Sequence, residues 1–398
     1  MTASEQLAQF AAGSKALPKL CREYKKERAT VHLKELVGGA LSFYAAAAVA
    51  KTGGVHIFVA EDRDAAAYLL NDFYNLLDEK QVYFFPSSYK RSVAYGAEDA
   101  QGVVQRTAAM NAVKGFTKGY LIVCTYPEAL AERVVDAATL QRDTIAVKLG
   151  DKISIAVLED ALADANFTRV DFVYEPGQYS VRGGIVDVFS YSESKPYRID
   201  FFGDEVDSIR RFNISSQLSA DKLDRVEIVP NLNAGEAPRV SFVQFAGSSA
   251  TCWFYDADYV LRRVNDLRRK VLADMEEPGQ IDRLLTSRNV LLRDMAGNSV
   301  VALRDNLPER PATAAVVFDT APQPKFNKNF EMLADDMIRN SLRGYATYIL
   351  SENKVQVERL ENIFHQIGRG QAAVRSLSVT LHEGFVDNDL KLCLYTDH

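Results

Sequence analysis

The sequence predicts an α/β protein in which a parallel-sheet domain is interrupted by an antiparallel α+β domain and followed by a small α/β domain. Three observations predict it. Between residues 31 and 135, apolar runs of strand length alternate with stretches of helical period. Between 169 and 213, short strand-like runs are broken by closely spaced turn residues. After a stretch at 230–238 that holds Asn, Gly and Pro and little apolar content, helical and strand periods alternate again.

The first domain reads as a strand at 32–36, a helix at 40–50 packed through small alanines, a strand at 55–60 and a helix at 64–77. In that second helix Ala67, Leu70, Phe73, Tyr74 and Leu77 recur at three- and four-residue spacing, which makes one apolar stripe. A strand at 82–85, a helix near 101–113 and a strand at 120–125 follow. The last runs into Tyr126-Pro127-Glu128, where proline suits a first helical turn. Strands this continuously apolar are buried on both faces, as in a parallel sheet covered by helices.

After Asp143 a short helix at 156–165 leads to strands at 170–173, 181–189, 197–202 and 205–212. Pro176-Gly177, Gly183-Gly184, Ser194-Lys195-Pro196 and Gly203-Asp204 supply the turns, a spacing that calls for hairpins. Residues 239–318 bring strands near Phe242, Cys252 and Val316 and a long charged helix from 259 to about 275. Beyond Pro322-Gln323-Pro324 lie strands at 345–350, 377–381 and 390–395. Between them a helix at 355–367 turns Val357, Leu360, Ile363 and Phe364 inward. The boundaries read as 1–143, 144–232, 233–322 and 323–398, the third segment completing the domain that the second interrupts. Because the chain stops directly after a strand, it reads as a fragment of a longer protein.

Composition excludes several classes. The 398 residues are 47% hydrophobic and 25% charged, which fits neither disorder nor coiled coil. With 47 Lys+Arg against 53 Asp+Glu the net charge is −6, without the basic footprint of a dedicated nucleic-acid binder. The longest apolar run, 43–50, is far short of the roughly 20 residues of a membrane span, and the N-terminus lacks the order of a signal peptide. A cytoplasmic protein without a membrane partner is expected. Cys21, Cys124, Cys252 and Cys393 lack metal-ligand spacing, and His32, His56, His365, His382 and His398 lack metal or triad spacing. No metal, cofactor or catalytic residue is expected.

The first strand-to-helix turn, Val37-Gly38-Gly39-Ala40-Leu41-Ser42, has the shape of a phosphate-binding loop. Such a loop needs a lysine before its hydroxyl residue, and Leu41 stands there. Later, Asp256 occupies the place of a Mg²⁺-holding aspartate, and Ala257 replaces the glutamate that would activate water. Gly38, Gly39, Leu41, Ser42 and Asp256 thus read as a degenerate nucleotide site.

One run is more specific: Phe167-Thr168-Arg169-Val170-Asp171-Phe172-Val173, Arg182-Gly183-Gly184-Ile185-Val186-Asp187-Val188-Phe189 and Arg198-Ile199-Asp200-Phe201-Phe202-Gly203-Asp204-Glu205-Val206-Asp207-Ser208-Ile209. It resembles domain 2 of the UvrB repair subunit and the equivalent domain of the bacterial transcription-repair coupling factors. Phe58-Val59-Ala60 with its following helix, and Glu383-Gly384-Phe385, extend the resemblance more diffusely. UvrB carries the loop lysine and a long tyrosine-rich hairpin that threads DNA; Leu41 and the short stretch 86–98 depart from both. The chain therefore resembles the UvrB-like N-terminal module of the coupling factors.

That resemblance implies a degenerate RecA/helicase-like domain and a non-catalytic module that binds UvrA. Such a module brings nucleotide excision repair to RNA polymerase stalled at DNA lesions. Contacts with RNA polymerase and DNA would belong to parts beyond His398, with which this module could also pack. The resemblance places the UvrA contact on Arg169, Arg182 and Phe189. Read from the residues alone, the arginines could instead pair with Asp171, Glu175 or Asp187, and Phe189 could be core. From 166 to 212, six Arg+Lys against eight Asp+Glu leave −2, which favours a protein partner over DNA. Arg262, Arg263, Arg268, Arg269 and Lys270 are interleaved with acids and read as a solvated helix face. The competing reading is a UvrB-like ATP-dependent DNA helicase subunit.

Overall fold

Val55, Ile57 and Val59 alternate with His56 and Phe58, and all five are buried, so the strand Gly54–Val59 has protein on both faces. In the computed structural model, which describes residues 2–90, 93, 96–233 and 237–396, it lies inside a seven-stranded sheet. The order is Ala314–Val317, Thr30–Lys34, Ser299–Ala302, Thr251–Phe254, Gly54–Val59, Tyr120–Thr125, Val82–Phe84, and every neighbouring pair is parallel. Helices Ala3–Ala12, Ala16–Tyr24 and Ala40–Thr52 pack on one face. Ala100–Gly115 and Ala257–Asp274 pack on the other. The helix Arg63–Leu76 starts where Asp62 accepts the N–H of Ala65.

The insertion leaves and re-enters through two strands, Ile145–Lys148 and Arg225–Ile228, paired antiparallel with Ile145 opposite Ile228. Beyond them a six-stranded sheet runs in the order Ser219–Leu223, Glu205–Phe212, Tyr197–Phe202, Ile185–Val188, Gln178–Arg182, Thr168–Arg169. Leu158 and Leu162 of the helix Ile155–Asp164 close its core against Val186, Val188, Ile199 and Ile209.

The last piece is a five-stranded sheet, Thr320–Pro322, Phe385–Asp387, Leu392–Thr396, Ala346–Leu350, Ser376–Leu377, with helices Phe330–Leu342 and Lys354–Gln366. Part of its core is shared with the first domain. Leu381, Phe385 and Leu394 pack with Phe43 and Tyr44 of the helix Ala40–Thr52, and the Tyr44 hydroxyl donates to Asp387.

Several local expectations are corrected. The expected strand at 181–189 is a hairpin, Gln178–Arg182 and Ile185–Val188, because Gly183 takes φ 60° at its turn. Residues 170–173 are not a strand, and the pairing ends at Arg169, whose partner Tyr179 runs parallel to it. The insertion is therefore antiparallel except at that edge. Phe242 lies in a short helix, Phe242–Ala246, because the Ser241 hydroxyl accepts the N–H of Gln244 and caps it. Of the strand expected at 377–381 only Ser376–Leu377 forms. No helix among the described residues is long and apolar enough to cross a membrane.

Candidate functional site

Two places carry the residues singled out by the sequence. The first is the turn before the helix Ala40–Thr52. Gly38 takes φ 56°, and the N–H groups of Ala40 and Leu41 donate to the carbonyls of Val37 and Gly38 at 3.2 and 3.3 Å. Those donors serve the turn itself. Ser42 turns inward, its hydroxyl 2.6 Å from Asp72 and 3.0 Å from the Gly39 carbonyl.

A segment from the far end of the chain covers this turn. Asn75 donates from its side chain to the carbonyl and hydroxyl of Thr380, both at 3.0 Å. The His382 N–H donates to Asp72 at 2.7 Å, and the Tyr68 and His382 rings stack with centroids 3.5 Å apart. Tyr68, Asp72 and Asn75 fall on one stripe of the helix Arg63–Leu76. A Cβ at Gly39 would overlap the carbonyl oxygen of Glu383, and one at Gly38 would sit 3.0 Å from that of Gly384. The two glycines thus admit the segment 380–384. Burial pushes the Asp72 carboxyl up to about 6.

Beside the turn lies a cavity of about 360 Å³ walled by Leu41, Phe58, Tyr68, Trp253 and Tyr255. Glu61, Asp72 and Glu383 also line it, and no lysine or arginine does so among the described residues. A polyphosphate needs the opposite charge there. Asp256 is a helix cap: it accepts the N–H of Tyr259 at 2.8 Å and the side-chain amide of Asn306 at 2.7 Å. Among the described residues no cluster of His, Cys, Asp or Glu could hold a metal ion, and Cys21, Cys124, Cys252 and Cys393 are buried free thiols. His398 lies outside the described residues.

The second place is the face of the inserted sheet turned away from its core. Tyr179, Val181, Val186, Val188, Tyr197 and Ile199 point inward, so the residues between them share the other face. Asp187 sits at its centre, 2% exposed. Arg198 holds it with Nε and Nη2 at 2.7 and 2.8 Å, and Arg182 adds Nη2 at 2.6 Å. The Arg198 guanidinium lies over the Phe212 ring and that of Arg182 over Phe172, at 4.4 and 4.8 Å. Beside them Arg210 pairs with Asp200 at 2.7 Å. Two arginines on one buried carboxylate leave this face a surplus positive charge.

The three residues expected at a partner contact are not equivalent. The Arg182 side chain is 36% exposed and that of Arg198 14%. Arg169, on the edge strand, is 62% exposed and pairs with Glu159 at 3.1 Å. Phe189 is buried, its backbone paired with Gln178, so its ring is not presented on the surface. Phe172 and Tyr174 are exposed instead, with Val173 buried between them. Phe172, Val173 and Tyr174 are consecutive in an apolar run, so the sequence carries no signal that singles out the first and third as exposed. On the helix Ala257–Asp274, Arg262, Arg263, Arg268 and Arg269 pair with Asp258, Glu128, Asp282 and Asp266, which makes the basic run a salt-bridged surface.

Comparison with known proteins points the same way. Residues 145–233 match the family described as the UvrB interaction domain. A 199-residue stretch is 27% identical to the transcription-repair-coupling factor of Escherichia coli K12, covering 50% of this chain and 17% of that protein. The factor of Bacillus subtilis 168 matches equally, at 27% over 199 residues. That of Haemophilus influenzae is 30% identical over 128 residues, 32% of this chain and 11% of that protein. The matched stretch spans less than a fifth of the length of these relatives.

Proposed function

We propose that this chain, which by sequence corresponds to the N-terminal region of a transcription-repair coupling factor, is a recruitment module that performs no chemistry itself. Its inserted domain docks UvrA and thereby brings nucleotide excision repair to RNA polymerase stalled at a lesion. Contacts with the polymerase and with DNA fall to other parts of the longer protein. The observation that carries the reading is the arginine-bearing face around Asp187. A carboxylate 2% exposed is already satisfied by Arg198, so Arg182 has donors left for a partner. The exposed Phe172 beneath its guanidinium and Tyr174 nearby in sequence give that charge an aromatic surround, the composition of an interface centre.

The helicase reading is disfavoured by the segment 380–384, which lies where phosphates would approach the turn, and by Leu41. Capture of purified UvrA by the immobilised chain tests the proposal. Binding that a chain lacking the insertion does not show supports it, and equal binding by both overturns it.

A further inference from the structure

The cavity beside the glycine turn has a chemistry that suits a ligand other than a nucleotide. It lies at the carboxyl ends of four neighbouring parallel strands, where Leu36, Leu303, Tyr255 and Ala60 follow Thr30–Lys34, Ser299–Ala302, Thr251–Phe254 and Gly54–Val59. Open α/β sheets bind their ligands at that end. Its volume of about 360 Å³ is within the range of small-molecule sites, roughly 300–1,000 Å³. The walls are largely aromatic. Phe58 and Trp253 are buried with their rings stacked at 4.9 Å, and Tyr68 and Tyr255, 48% and 40% exposed, border the opening. Tyr255 already attracts one cation, since the Arg304 guanidinium lies over its ring at 5.6 Å.

The charge at this place is negative. Glu61 and Glu383 line the cavity, are exposed, and have no hydrogen bond or ion pair among the described residues. Burial raises the Asp72 carboxyl, and the charge of Glu383 adds to that rise, so these acids are close enough to repel one another. The nearby bases are engaged elsewhere. Arg304 pairs with Asp256 at 3.7 Å, Arg63 acts on Tyr126, and the His382 ring is stacked on Tyr68. The helix start that would favour an anion is spent as well, because the N–H groups of Ala40, Leu41 and Phe43 donate to the carbonyls of Val37, Gly38 and Gly39. An aromatic wall beside unpaired carboxylates is complementary to a positive charge on an apolar body.

We propose that this cavity binds a small organic cation with a flat apolar body, the body against the aromatic walls and the charged end against Glu61 and Glu383. The site belongs to the parallel-sheet domain and stands or falls separately from the UvrA reading.

Benzamidinium, benzamide and benzoate share one planar body and differ in charge, which makes them suitable probes. Calorimetric titrations of the full chain use pH 8, where histidine is neutral, and about 0.15 M salt, which screens the general charge of −6. Benzamidinium should bind with a dissociation constant of about 1 mM or below, benzamide at least about tenfold more weakly, and benzoate not at all. Trp253 is the single tryptophan of the chain and lines the cavity, so its emission should follow the same titration. The double variant Glu61→Gln, Glu383→Gln keeps the shape and removes the charge. It should weaken benzamidinium at least about tenfold, leave benzamide unchanged and hold the Tm within about 2 °C. Should the variant fold poorly, the wild-type series alone decides. Equal affinity for the three probes, no binding of benzamidinium, binding that leaves the Trp253 emission unmoved, or undiminished binding by the folded double variant overturns the proposal.

Discussion

Asp72 accepts the backbone N–H of His382 at 2.7 Å, so a helix formed early in the chain holds a segment that arrives some three hundred residues later. The same carboxylate takes the Ser42 hydroxyl at 2.6 Å. One buried acid therefore joins the glycine turn, the helix Arg63–Leu76 and the last sheet. In Asp72→Asn the amide can still accept from His382 and donate to Ser42, whose hydroxyl already reaches Gly39. At pH 7.5 this variant should equal or exceed wild type in stability by about 1–2 kcal/mol, since no charge is buried. Asp72→Ala strands the His382 N–H and should lose about 2–3 kcal/mol. Urea denaturation of the three proteins decides.

The same acid has a pH signature. Its folded value, near 6 against the ordinary 3.8, means that the folded chain binds a proton more tightly than the unfolded one. Its contribution is fully present below about pH 4 and is lost as the pH rises to about 6. His56 acts oppositely. Buried, with Nδ1 accepting from Trp253 at 3.0 Å and Nε2 on the Gly53 carbonyl at 3.2 Å, its imidazole is pushed down from 6.5 to about 4. Stability from this residue is present above about pH 6.5 and is lost as the pH falls to about 4. Wild type should therefore vary little between pH 4 and 6. Asp72→Asn should weaken steeply on acidification by about 2–3 kcal/mol, and His56→Gln should instead gain on the same path. Parallel pH profiles for all three would refute both assignments.

Gly39 has φ −62°, so alanine costs nothing in backbone strain there. What Gly39→Ala meets is the Glu383 carbonyl. The expected result is release of the segment 380–384, with a loss of about 2 kcal/mol or more and faster hydrogen exchange at His382. Exchange unchanged at His382 would show that the turn yields instead.

The elements were readable where burial is local. Gly54–Val59 and Tyr120–Thr125 are apolar at nearly every position, which leaves few alternatives to a buried strand. Leu41 was equally legible, because the chemistry of a phosphate loop fixes which side chain must stand there. What escaped depends on distant chain. Nothing near Asp72 announces His382, and nothing near Phe189 says whether its ring faces the core, since both depend on segments that fold against them. The segment 377–381 reads as a strand from its apolar residues, yet Val379 and Leu381 are buried against the first domain outside any strand pairing.

Arg182→Ala should weaken capture of UvrA about thirtyfold and leave the Tm within about 2 °C, because Arg198 keeps both of its bonds to Asp187. Arg198→Ala removes the bidentate partner of a buried carboxylate and should cost the fold about 2–3 kcal/mol. Binding measured at equal folded fraction separates the two. Loss of affinity in Arg198→Ala alone would move the contact away from Arg182.

Mg-ATP should produce no heat on titration and no turnover that survives repurification, since the turn offers Leu41 and the neighbouring cavity offers Glu61 and Glu383. A micromolar dissociation constant would contradict this.

The two strands that join the insertion to the rest of the molecule, Ile145–Lys148 and Arg225–Ile228, are paired so that both attached ends lie at the same end of the ladder. Tension applied to a ligand held on the insertion runs along both strands in the same sense. It neither slides one past the other nor peels their hydrogen bonds apart in turn. The load therefore passes into the backbone on either side of the ladder, and the two strands carry it together.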